Sequence, residues 1–205
     1  MSRLKLFISA TAIAVSLFVA TPDARAQTRN TGAVNISGLY MAAQDSDLYY
    51  DFAGFSLKLG FYITDTTELF GEMSFADGLD TSAYLDYTMN MGFMMGITQY
   101  IPLSDAASLY VRGKVGLTYN IWAYDTPYYT DGYYYYGYYE DEESDTYFTY
   151  AIGAGFSVSL SDTLALEIGY DYMGLDVNSQ LEDDPDVDDD WAGYHVIHVG
   201  IDIEF

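Results

Sequence analysis

The 205-residue chain has no cysteine, four prolines, and seven lysines and arginines against 31 aspartates and glutamates. The lack of cysteine excludes disulfides, thiolate metal sites and a lipid-modified cysteine near the N-terminus. The shortage of bases leaves a formal net charge of −24. Such a surface repels phosphates, which excludes nucleic acid as a partner, and its complement is a cation or a basic molecule. Beyond the first twenty residues no apolar run reaches the roughly 20 residues that a membrane-spanning helix needs. Half of the residues are nevertheless apolar, and the mean hydropathy is near zero.

The N-terminus is the one place where apolar residues run together. Arg3 and Lys5 precede an uncharged stretch from Leu6 to Ala20, followed by Pro22 and Ala24-Arg25-Ala26. A basic start, an apolar middle and an A-x-A site describe a cleavable secretory signal peptide over residues 1–26, cut before Gln27. Residues 27–205 then form one domain by length. Of the seven bases, Arg3, Lys5 and Arg25 leave with the leader, so four remain; Asp23 leaves too, so thirty acids remain of 31.

The rest of the chain alternates with a period of two, the mark of strands with one apolar face and one polar face. Eight such segments stand out, at Ala33–Met41, Ala53–Ile63, Glu68–Ala76, Tyr87–Tyr100, Ser108–Asn120, Thr146–Leu160, Thr163–Leu175 and Tyr194–Phe205. In the last, Ile197, Val199, Ile201, Ile203 and Phe205 share a face with His195, while His198, Gly200, Asp202 and Glu204 fall on the other. Short connections repeat a Ser/Thr-Asp signature, at Thr64-Asp65, Ser104-Asp105 and Ser161-Asp162, whose side chains favour turns. The long connections are about Ala42–Phe52, Asp77–Asp86, Ile121–Asp145 and Asp176–Gly193.

The apolar faces are long and carry no charge: Phe55, Leu57, Leu59, Phe61 and Ile63 on one strand, Met89, Met91, Phe93, Met95 and Ile97 on another. The opposite faces hold Gly, Ser, Thr and Tyr with a few charges. A water-facing exterior would carry many more lysines and glutamates, so the apolar faces belong in lipid and the polar faces line a lumen. Soluble sandwich and lipocalin-like barrels are the alternatives. The reading is an all-β, eight-stranded antiparallel up-and-down transmembrane β-barrel preceded by a cleavable signal peptide.

At these residues the chain resembles the small outer-membrane barrels of the OmpA/OmpX type. The shared features are the Ser/Thr-Asp turns, glycine-spaced strands such as Arg112-Gly113-Lys114-Val115-Gly116 and Ala151-Ile152-Gly153-Ala154-Gly155, and the run from His198 through Gly200 and Ile203 to Phe205. That run resembles the terminal signal read by the barrel-assembly machinery. The resemblance implies the outer membrane of a diderm bacterium, with lipid and lipopolysaccharide as neighbours. It puts short turns and both termini in the periplasm and long loops outside. It fixes architecture and location, not one activity.

Four groups of residues bear on function. Lys58, Arg112 and Lys114, the only bases within the strands, share the inner parity with Glu72, Glu167, Asp171, Asp202 and Glu204. Charges in a narrow lumen need partners, so these residues are expected to form a salt-bridged plug, with Lys58 opposite Glu72 across a hairpin. Inward Tyr62, Phe70, Tyr100, Tyr110, Tyr147 and Tyr194 add bulk. The alternative is a charged constriction in a narrow pore, which the many inner glycines favour. Segment 121–145 is rich in tyrosine and ends in Glu140-Asp141-Glu142-Glu143, which suits an adhesive surface contacting an extracellular ligand or an aromatic girdle with a solvated acidic loop. Asp184, Asp186 and Asp188 have the opening spacing of a calcium loop, but Asp189 stands where glycine is required and His195 where the bidentate glutamate belongs. Diffuse, weak divalent-cation binding and bridging to lipopolysaccharide fit those acids better, and no cofactor is expected. Finally, a lipid A-modifying enzyme needs a nucleophile and base in reach, whereas His195 and His198 lie on opposite faces of one strand. The chain therefore reads as a structural, surface-interacting barrel and not as an enzyme.

Overall fold

The computed structural model describes residues 32–44, 51–79, 85–130, 133–176 and 191–205. They form eight strands: β1 (Gly32–Ala43), β2 (Phe52–Thr64), β3 (Thr67–Gly78), β4 (Leu85–Pro102), β5 (Ala107–Thr130), β6 (Tyr133–Ser159), β7 (Leu164–Asp176) and β8 (Trp191–Glu204). Each strand pairs antiparallel with the next, and β1 pairs with β8 from Ala33↔Glu204 to Ala43↔Tyr194, which closes the sheet into a barrel. Closure removes the sheet edges that an open meander would expose.

The period of two sets what faces where. Ile36, Phe55, Leu59, Phe93, Met95, Ile97, Val115, Ile152 and Ile201 stand exposed on the outer face. The alternate positions point inward and are buried, including Asn35, Lys58, Glu72, Lys114, Glu167 and Asp202. This inversion, apolar outside and charged inside, is that of a barrel solvated by lipid.

The short turns obey the repeated signature. Ala106 N donates to Ser104 Oγ at 3.3 Å, Thr163 N to Ser161 Oγ at 3.3 Å, and Thr66 N to Thr64 Oγ1 at 3.3 Å. In each, the Ser or Thr side chain takes up a backbone donor two residues on, which pre-shapes the reversal.

One expectation needs correction. Segment 121–145 is not a loop. β5 and β6 continue through it as a paired ribbon, from Ala107↔Val158 to Thr130↔Tyr133. β4 pairs with β5 only as far as Leu85↔Tyr124, and β7 pairs with β6 only from Phe148↔Asp176. Among the described residues, the ribbon beyond these pairs is held only by β5 pairing with β6, on the rim opposite the short turns.

The candidate functional site: a filled lumen

Along the barrel axis the interior has three layers. Nearest the short turns, Lys58 reaches across to Glu68 (3.1 Å) and Glu167 (3.4 Å). Tyr100 donates to both carboxylates, at 3.1 Å to Glu68 and 2.9 Å to Glu167. Asn35 Nδ2 donates to Glu167 Oε2 at 2.9 Å. One ammonium, one phenol and one amide therefore bind two carboxylates from strands on opposite sides of the barrel. Asp202 and Glu204 are buried on the same inner face.

In the middle layer Arg112 forms a two-point ion pair with Asp171, its Nε donating at 2.8 Å and its Nη2 to the other oxygen. Lys114 bridges Glu72 (2.8 Å) and Asp171 (3.2 Å). Arg112 Nη2 also lies 2.6 Å from His198 Nε2, which accepts the guanidinium proton. Tyr110 lies 3.4 Å from the same nitrogen.

Toward the ribbon rim an apolar layer follows the ion pairs. Leu39, Met41, Met94, Ala151, Met173, Leu175 and Val196 form a buried apolar cluster within the lumen, joined by Phe52, Tyr147 and Tyr194. The remaining space is small. A cavity of about 20 Å³ lies between Met41, Met94, Met173 and the Glu72–Lys114–Asp171 group, and another of about 20 Å³ lies beside Lys58, Ser37 and His198. Each has room for only one or two waters.

The inner glycines do not leave the bore open. Gly155 and Gly169 receive the Tyr110 side chain, whose hydroxyl a Cβ on either would meet. Gly60 receives the Glu68 carboxylate and Gly96 the Phe70 ring. Small residues on one strand thus accommodate large ones from another, as in any close-packed interior.

The structure places all eight charges expected inside on the inner face, but it distributes the partners differently. Lys58 does sit opposite Glu72 in the β2–β3 register, yet its ammonium goes to Glu68 and Glu167 while Glu72 pairs with Lys114. Arg112 and Lys114 both meet Asp171, one of the inward acids expected to pair with the bases. Sequence reasoning missed Glu68, Asn35 and Tyr100 as partners of the Lys58 layer and His198 as a partner of Arg112. Glu68 shares the even parity of Glu72, the signal that would have found it. Phe205 and Ile203 face outward, and His198 and Gly200 inward. Asp184, Asp186 and Asp188 lie outside the described residues. Among the described residues, no three His, Cys, Asp or Glu side chains are grouped to hold a metal ion.

A closed antiparallel barrel with an apolar exterior and an ion-paired interior defines a transmembrane β-barrel. The family model for the outer membrane protein beta-barrel domain matches residues 9–205, and the chain belongs to that family. Its place is therefore the outer membrane, in contact with lipid. Similar solved structures include Neisserial surface protein A, at 10% identity and TM-score 0.57, covering 85% of this chain and 96% of that one. Another is Ail, the attachment invasion locus protein of Yersinia pestis, at 15% identity and TM-score 0.51, covering 87% and 99%. Ail is also known in complex with the heparin analogue sucrose octasulfate, a structure matched at 14% identity and TM-score 0.51, covering 87% and 99%. At these identities the likeness is one of fold. No curated protein matches the sequence.

Proposed function

We propose that this protein is a non-conducting structural barrel of the outer membrane whose β5–β6 ribbon serves surface interactions. The observation that carries the reading is the double closure of the lumen. An apolar layer of Met41, Met94, Met173 and Leu175 lies over an ionic layer of Arg112, Lys114, Glu72 and Asp171. Ions crossing the first would shed water against methionine and leucine. In the second they would have to displace paired charges.

In this reading residues 1–26 are the removed leader and residues 27–205 the inserted barrel. The short turns and both termini lie in the periplasm, and the ribbon lies outside. The strand from His198 through Gly200 and Ile203 to Phe205 is offered to the assembly machinery. Catalysis has no place in it: His195 faces outward against Tyr170, His198 faces inward against Arg112, and the pair is split by the sheet. Contact with lipopolysaccharide runs through divalent cations held diffusely by acids, because from Gly32 onward the only lysines and arginines are Lys58, Arg112 and Lys114, all inside. Among the described residues, a polyanion such as the one bound to Ail would find no lysine or arginine outside the lumen.

Single-channel recording on the refolded full-length protein tests the reading. The expected result is no steady conductance. Stable channels whose ion selectivity changes in Arg112→Ala or Lys114→Ala would make it a narrow pore instead.

A further inference from the structure

We propose that Met41, Met94 and Met173 form a three-thioether site in the lumen for a soft monovalent cation, Cu(I) or Ag(I). The inference goes beyond the structural reading and does not depend on what the ribbon contacts.

The first argument is position. The three methionines stand on β1, β4 and β7. In the ring, two strands separate β1 from β4, two separate β4 from β7, and only β8 lies between β7 and β1. Three inward side chains are thus spaced almost evenly round the barrel. All three are buried and belong to one cluster, and all three line the same cavity of about 20 Å³. Met73 and Met95, by contrast, stand exposed on the lipid face.

The second argument is chemistry. Leu39 and Val196 wall the same cavity and bring no donor atom. Each methionine brings a polarizable sulfur on a side chain with three rotatable bonds, which lets the sulfur turn toward a guest. Thioether sulfur is a soft ligand that selects Cu(I), whereas calcium and magnesium take oxygen ligands and keep larger shells. Ag(I) shares the charge and the softness of Cu(I). A cavity with room for one or two waters suits an ion held by three ligands and no shell of its own.

The third argument is charge. Thioethers are neutral, so the countercharge must come from elsewhere in the lumen. Glu68, Glu72, Glu167, Asp171, Asp202 and Glu204 are buried there against Lys58, Arg112 and Lys114. Six acids against three bases leave an excess that favours a cation. Lys114 lines the cavity too, but its ammonium is held between Glu72 at 2.8 Å and Asp171 at 3.2 Å. A single charge also costs less to strip of water than a double one.

The test refolds the full-length protein in detergent micelles with Ag(I), desalts it, and measures silver per protein by mass spectrometry. About one retained ion is expected. Met-to-Leu exchange keeps the volume and removes the sulfur, a swap that cores tolerate well. M41L, M94L and M173L should each weaken Ag(I) at least about tenfold in competition with a soluble thioether. M41L/M94L/M173L should retain none, and M73L/M95L should bind like the parent. Cu(I) supplied under anaerobic conditions should displace the silver, and Ca(II) should not. X-ray absorption at the silver edge should show sulfur neighbours alone. Heat-modifiable migration shows which variants fold, and the absorption measurement on the parent decides the matter even where a variant does not. No silver on the parent, silver retained by the folded triple variant, loss in M73L/M95L, nitrogen or oxygen neighbours, or displacement by Ca(II) would each overturn the proposal.

Discussion

Gly32 and Phe205 close the barrel as a reciprocal pair. Gly32 N donates to Phe205 O at 3.0 Å, and Phe205 N donates to Gly32 O at 2.9 Å. The Phe205 ring lies over Gly32, where a Cβ would come within 2.7 Å of ring atom Cε2. The aromatic ring covers backbone that a glycine leaves bare, on the lipid side of the seam between first and last strands.

Deleting Phe205 should therefore leave secreted protein that does not insert. It removes both backbone bonds, each of about 0.5–1.5 kcal/mol, together with the ring that covers the seam. Phe205→Ala keeps the bonds and should be milder. Heat-modifiable migration of outer-membrane fractions reads the outcome. Normal levels of folded barrel in the deletion would show that Phe205 has no part in assembly.

Lys58 holds Glu68 and Glu167 together across the lumen. Lys58→Met leaves both carboxylates buried without their ammonium, and the expected loss is about 3–5 kcal/mol. Urea unfolding of refolded protein measures it. Adding Glu167→Gln should return part of the loss, since one uncompensated charge is gone. Additive losses in the double variant would mean that Lys58 and Glu167 do not act on one another.

Much of this architecture is legible in the sequence, and its failures have physical causes. Period-two alternation marks all eight strands because lipid on one side and a lumen on the other impose opposite polarities on neighbouring residues. The rule fails in segment 121–145. Tyrosine fills both parities there from Tyr133 to Tyr136, so no alternation shows, and Pro127 and Gly137 read as loop residues. It also misjudges the lumen. Inward Met41, Met94, Met173 and Leu175 run against the expectation of a polar interior, and only the closed barrel shows them gathered in one layer. The register of Lys58 opposite Glu72 follows from a reversal centred on Asp65, which the register shift between Tyr62 and Thr64 brings about. The bridge from Lys58 to Glu167 does not, because it depends on how closure and strand tilt bring β7 across from β2.

Tyr110 and the glycines opposite test the packing. Gly169→Ala puts a methyl against the Tyr110 hydroxyl and the His198 ring, and overpacking of this kind costs about 1–3 kcal/mol. Tyr110→Leu in the same protein should return part of that. If Gly169→Ala is as stable as the parent in urea unfolding, the glycine is not a notch for tyrosine.

The last expectation concerns the two seals. They lie in series, so removing one leaves the other. Arg112→Ala alone should stay silent in planar bilayers because Met41, Met94 and Met173 still exclude water. Met94→Gly with Met173→Gly should also stay silent, since Arg112 and Lys114 still bind Asp171 and Glu72. Combining the three substitutions should give channels, provided migration in gels shows that the barrel still folds. Those channels should prefer cations. Lys58 and Lys114 would then face six buried acids, Glu68, Glu72, Glu167, Asp171, Asp202 and Glu204, and a lumen with excess carboxylate attracts positive ions. Steady conductance from either partial variant would show that the lumen has one seal and not two. Anion preference in the combined variant would show that the acids carry less charge than their number implies.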